Sequence, residues 1–214
     1  MEIHPPHGPA HSIKEFLLQL LTITVGVLIA LSLEGVLGWQ HHRHLVREAE
    51  ANLTLEIAEN RARLEKGLQQ MDKTQGQLGA MLDAVFMLQA NRNAKTGDLG
   101  LAVAITSLQS SGWNATSVTG AIGYMPYDEV KRYTVIYDLQ QHFLTTQQRS
   151  IDSLVVLESY GVLLRGDLRK ISDAQAAEAA RAVGHAMAST KMAQDISRAL
   201  DAEYGRFLAD KKPK

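Results

Sequence analysis

The chain has 214 residues, 22 of them basic and 23 acidic, and it has no cysteine. That length suits one domain plus an anchor. The missing cysteines exclude disulfides, thiolate metal sites, iron–sulfur clusters and a thiol nucleophile, and basic residues scattered among acidic ones do not form the cationic stripe of a nucleic-acid binder.

The prolines point to an all-α protein. Pro5, Pro6 and Pro9 lie in the N-terminal tail and Pro213 in the C-terminal tail, so Pro126 is the one helix breaker in the body. Residues 1–15 read as a polar tail. From Phe16 to Leu33 there are 18 residues without a charge, and apolar character continues past Glu34 to Trp39. A transmembrane helix needs about 20 mostly apolar residues, so residues 16–39 are expected to span a bilayer. Trp39 sits where an interfacial aromatic belongs. A cleaved leader is the competing reading. Ala30-Leu-Ser32 resembles a small-residue cleavage site, but one Lys and two Glu precede the apolar run where a basic segment is required. Lys14 before the run and Arg43 and Arg47 after it are too even a balance to orient it.

Thr22, Gly26, Ala30 and Glu34 are spaced by four and share one stripe of that helix. Small residues at this spacing let two helices approach closely, and polar ones can hydrogen-bond across. A packing stripe for another membrane subunit or a second copy is one reading. The other is that Glu34 marks the interface.

Helical character continues after Trp39 to about Asn91–Asn93. Ile57, Leu64, Met71, Leu78 and Val85 recur every seven residues, with Arg61, Leu68, Gln75, Leu82 and Gln89 as the expected companions. Gly67, Gly76 and Gly79 are expected to weaken this helix locally. Residues 91–98 read as a loop. Asp98 then caps a short, buried helix over LGLAVAITSLQ, and Asn114 caps another that reaches Gly120 or Gly123. Pro126 opens a seam of about 40 residues through Tyr133, Ile136, Gln140, Phe143, Gln147, Ser150, Leu154, Leu157, Gly161, Leu164, Leu168 and Ile171, with polar layers at its middle. It reads as one helix or as two stacked with a kink near Ser150. Ser172 and Gln175 match a capping box, which starts a last helix over Asp173–Leu208. Residues 40–209 are thus a helical bundle and 210–214 a frayed tail.

Chemistry-bearing motifs are sparse. His4, His7 and His11 precede the apolar run and His41, His42 and His44 follow it, on opposite sides of the expected membrane. His142 and His185 are isolated. No histidine has a Glu three residues before it, which rejects a di-iron bundle site. No phosphate loop, dinucleotide fingerprint, nucleophile elbow or zincin motif is present. No catalytic residue, metal ligand or cofactor is expected. Residues 110–126, with Trp113 and Tyr124, are the least helix-like stretch. They form either a docking corner between helices or a turn whose two aromatics plug the bundle end.

Ile13-Lys-Glu-Phe-Leu-Leu18, Val25-Gly-Val-Leu-Ile-Ala-Leu31 and the stretch Trp113 to Tyr137, with Thr116 and Gly120, carry a resemblance. Over residues 13–145 the chain resembles an uncharacterised family of bacterial single-pass membrane proteins with a helical extramembrane domain. The resemblance implies a place in the bacterial inner membrane and assigns no site residues.

The expectation is therefore one N-terminal transmembrane helix continuous with an extramembrane helical bundle. The function expected is non-enzymatic: an accessory subunit or scaffold of a membrane complex, with the lipid bilayer and other membrane subunits or a second copy as partners and no nucleic acid. The alternative is a sensory or ligand-binding bundle that acts through a partner.

Overall fold

The computed structural model describes residues 13–91, 100–103, 105–164 and 171–211. Its elements are α1 (Ile13–Ala90), α2 (Ser111–Val118), a 3-10 turn (Ala121–Tyr124), α3 (Tyr127–Leu164) and α4 (Asp173–Asp210). No strand occurs among the described residues. The fold is all-α, and a long apolar N-terminal helix continues into a helical domain. The chain divides into two units, Met1–Glu48 and Ala49–Lys214.

In the first unit, α1 contains an 18-residue window of mean hydropathy 2.4 with none of it buried. The helix is long and apolar enough to cross a membrane. Its hydroxyls are satisfied internally. Thr22 Oγ1 donates to the Leu18 carbonyl at 2.9 Å, Thr24 Oγ1 to Leu20 at 2.8 Å and Ser32 Oγ to Leu28 at 2.7 Å. Back-bonding of this kind removes the main objection to a hydroxyl in an apolar setting, which is an unpaired donor.

The second unit packs the rest of α1 against α3 and α4. Glu56 meets Tyr137, and Asn60 meets Gln140, so α1 and α3 run parallel. Arg61 pairs with Asp201 and Asp72 with Gln194, so α4 runs antiparallel to α1. The expected seams are buried: Ile57, Leu64, Met71, Leu78 and Val85 on α1, and Tyr133 through Leu157 on α3, which is one uninterrupted helix over 38 residues. Seam positions 161–164 lie in α3 and Leu168 outside the described residues, while Ile171 is buried beyond the end of α3. A core of Leu78, Val85, Leu154, Leu157, Ile171 and Val183 closes one end. The small residues Ala176, Ala179 and Ala186 of α4 let it pack closely there. The capping box is present as expected: Gln175 N donates to Ser172 Oγ at 3.2 Å and Ser172 N to Gln175 Oε1 at 2.9 Å.

Two parallel helices need a return crossover, and here the sequence reading is corrected. The run LGLAVAITSLQ is not helical at its described residues. Its described residues form an extended strap that runs back along α1. From Thr74 to Asn60 a helix spans roughly 21 Å, and the seven steps from Ala102 to Gln109 span about 23 Å when extended. The strap therefore covers in half the residues the distance that α1 has climbed. Its side chains alternate as an extended chain must. Thr106 and Leu108 are buried, whereas Val103 and Ile105 are 46% and 71% exposed. Residues 92–99, including Asp98 as the proposed cap, lie outside the described residues.

The strap also corrects the α1 seam. The buried companions are Asn60, Gly67, Thr74, Met81 and Leu88, three residues after each seam position rather than four. Three of these five are polar or small because the strap lies over them. Gly67 is the tightest point. A Cβ there would overlap Thr106 Oγ1 and approach Thr106 Cβ at 3.1 Å and Cγ2 at 3.2 Å, while Gly76 and Gly79 have nothing within 4 Å. Alanine gains about 1 kcal/mol over glycine inside a helix. Overpacking costs about 1–3 kcal/mol. Gly76→Ala and Gly79→Ala are therefore expected to raise the thermal midpoint, and Gly67→Ala to lower it. Circular dichroism melts of the three variants check this. A rise for Gly67→Ala would mean that the strap does not seat there.

Asn114 is also corrected. It lies inside α2, whose N-cap position is Ser110 with no side-chain cap bond. Gly120 ends this segment with φ +75, a left-handed conformation that glycine adopts at no steric cost.

Candidate functional site

The densest polar constellation lies where α2 meets α1 and α3. Glu56 is 7% exposed. Its Oε2 accepts from Gly112 N at 2.7 Å and Ser111 Oγ at 2.9 Å, and its Oε1 accepts from the Tyr137 hydroxyl at 2.6 Å. A carboxylate from α1 thus caps α2, where the helix dipole and free N–H groups favour negative charge. Trp113 stacks on Tyr137 with ring centroids 5.2 Å apart and planes 12° from parallel. Tyr133 follows at 6.3 Å from Trp113, and Phe207 of α4 at 5.2 Å from Tyr133. This aromatic file covers the bundle end. Tyr124 is 52% exposed.

A second network holds the strap. Asn60 donates to the Gln109 carbonyl at 2.6 Å and accepts from Gln109 N at 2.8 Å. Gln147 treats Thr106 the same way, accepting from its N–H at 2.8 Å and donating to its carbonyl at 3.0 Å. Gln140 adds a donor to the Gln109 carbonyl at 2.9 Å, and the Tyr204 hydroxyl donates to Gln140 Oε1 at 2.6 Å. At the far end Gln77 accepts from Ala102 N at 3.2 Å, and Thr74 donates to the Ala102 carbonyl at 2.9 Å. Side-chain amides supply the donor and acceptor pairs that a neighbouring strand would supply in a sheet. The polar layers Gln140 and Gln147 in the α3 seam are thereby explained.

Tyr133, Tyr137 and Tyr204 all have pKa values raised from the ordinary tyrosine range, first by burial. The hydrogen bond and charge of Glu56 add to this at Tyr137, and the charges of Glu50 and Glu129 at Tyr133. A raised folded pKa means that the folded state keeps its proton where the unfolded state, titrating near about 10, has lost it. The stability from these groups is fully present below about pH 10 and is lost as pH rises beyond it. Urea midpoints at about pH 9 and about pH 11 should differ more for the wild-type chain than for Tyr137→Phe. Equal losses would remove Tyr137 from this account.

The other sequence-derived candidates lie elsewhere. Thr22, Gly26, Ala30 and Glu34 are exposed on the apolar part of α1, and a Cβ on Gly26 would meet nothing within 4 Å. The Thr22 hydroxyl proton is already engaged by Leu18. His4, His7 and His11 lie outside the described residues. His41 and His42 are neighbours with ring centroids 6.0 Å apart, and His44 is exposed. No group of three or more His, Cys, Asp or Glu side chains that could hold a metal occurs among the described residues. His142 is exposed, while His185 lines an open groove of about 450 Å³ with Arg149, Asp152, Val156 and Met192.

Glu56 and Asn60 were missed by the sequence reading. Both sit next to the α1 seam, and a Glu or Asn beside a seam reads as a solvated flank. Comparison with protein-family models, curated proteins and solved structures finds no match. Fold and site thus define an all-α chain in which a long apolar helix continues into a strap-bound helical domain.

Proposed function

We propose that this chain is a membrane-anchored adaptor of the bacterial inner membrane, an accessory subunit or scaffold that acts by binding rather than by catalysis. The observation that carries this reading is the fully exposed apolar window of α1, which is stable in water only if something covers it. A bilayer fits by length and composition. The buried polar groups of the helical domain support a non-catalytic role, since the Glu56 carboxylate and the strap amides are engaged by backbone groups.

Anchoring is tested by alkaline carbonate washing of membranes from the expressing cell. Retention in the pellet supports an anchor, and full release into the supernatant removes it. Association is tested by native mass spectrometry after gentle detergent extraction. Replacing Gly26 and Ala30 with Leu widens the stripe without a clash inside the helix at Gly26, so a loss of association would report on contacts made outside this chain. The double variant is expected to lose the bound subunit or second copy. Unchanged oligomer size and partner retention would sink the stripe as an interface.

A further inference from the structure

The end of the apolar run nearer the helical domain carries a distinctive arrangement. Trp39 is 56% exposed, and the Arg43 guanidinium lies over its ring at 4.7 Å from the centroid. Arg47 Nε donates to the Arg43 carbonyl at 3.2 Å. Trp39, Arg43 and Arg47 are spaced by four and share one stripe of α1. Between Glu34 and Glu48 the sequence has no acid, and His41, His42 and His44 fill part of that interval. The opposite end of the run differs, because Lys14 there is followed by Glu15.

The chemistry of this end is specific. A guanidinium held over an indole face by its charge still carries its fork of N–H donors, and these donors match phosphate oxygens two at a time. An indole at the end of an apolar span belongs at headgroup depth. The ring therefore sets the cation where lipid phosphates lie. Arg47, one further turn along, adds a second charge within a Debye length of the same surface.

We propose that Trp39, Arg43 and Arg47 form a collar that binds the headgroup phosphate of an anionic phospholipid. The collar rests on the membrane-anchor reading. Its test uses the full chain in nanodiscs of phosphatidylglycerol and phosphatidylcholine in equal proportion, followed by native mass spectrometry that counts retained lipids by headgroup. The wild-type chain is expected to retain phosphatidylglycerol preferentially. The Arg43→Gln/Arg47→Gln variant is expected to enter the discs equally well and to lose that preference by about tenfold. Equal retention of both lipids by the wild-type chain overturns the collar, as does an undiminished preference in the variant. A wild-type chain that fails to enter the discs at all overturns the anchor reading instead, and the two failures are thereby distinct.

Discussion

Glu56→Ala is expected to lower the stability of the helical domain by about 3 kcal/mol, the largest effect of any single truncation considered. Three donors converge on this carboxylate: Gly112 N, Ser111 Oγ and the Tyr137 hydroxyl. A buried donor left without a partner costs about 1–3 kcal/mol, and bonds to a charged acceptor lie at the upper end. Removing the carboxylate also removes its own desolvation penalty, which is why the sum of three bonds is not expected. For a domain of this size the loss corresponds to about 6–12 °C in thermal midpoint. Glu56→Gln keeps the volume and one acceptor, so roughly half the loss is expected. The measurement is a thermal melt of the full chain in detergent with both variants. A Glu56→Ala melt within a degree or so of wild type would show that the contacts of α2 carry little of the stability.

The second large effect falls on Asn60, which is 0% exposed. Its amide pairs with both backbone groups of Gln109 and also donates to Gln140 Oε1 at 3.2 Å. Asn60→Leu keeps the branched four-atom skeleton and improves the hydrophobic pattern of the α1 seam, so a two-helix argument expects it to stabilise. The structure points the other way. Leucine leaves the Gln109 N–H without its acceptor and its carbonyl with one donor fewer, at a cost of about 2–3 kcal/mol. The diagnostic readout is local. Amide hydrogen exchange should accelerate across residues 105–110 and stay slow around Leu53 and Ile57. Unchanged protection of residues 105–110 would show that Asn60 does not hold the strap.

These two residues also mark where the sequence was legible and where it was not. The long helices, the seven-residue spacing from Ile57 to Val85 and the Ser172–Gln175 box depend on neighbours within about a turn or two of helix, so local patterning reveals them. The strap does not follow such a rule. LGLAVAITSLQ is apolar enough to be a buried helix, and a short apolar run cannot be assigned by periodicity alone. What makes it extended is the amides of Asn60 and Gln147, which are distant in sequence and look like flaws in their own seams. The companion row failed for the same reason. Asn60 and Thr74 bond the backbone of the strap and Gly67 makes room for Thr106, so none of the three shows an apolar companion pattern in the chain. The histidines, the only enriched ligand type, are not gathered into a metal-holding group among the described residues.

The order of these contacts along the chain bears on how the protein is made. The buried face of α1 is covered partly by α4, through Arg61 with Asp201 and Asp72 with Gln194. The amides that hold the strap come partly from α3, through Gln140 and Gln147. The strap's site is complete only once α3 has left the ribosome, and the buried face of α1 only once α4 has followed. About 120 residues separate the end of α1 from the end of α4, and synthesis at about 5–20 residues per second takes roughly 6–24 s to cover them. Through that interval the growing polypeptide holds an apolar seam from Leu53 to Leu88 open to solvent, and a chaperone that recognises exposed apolar helices would meet this protein before α4 does.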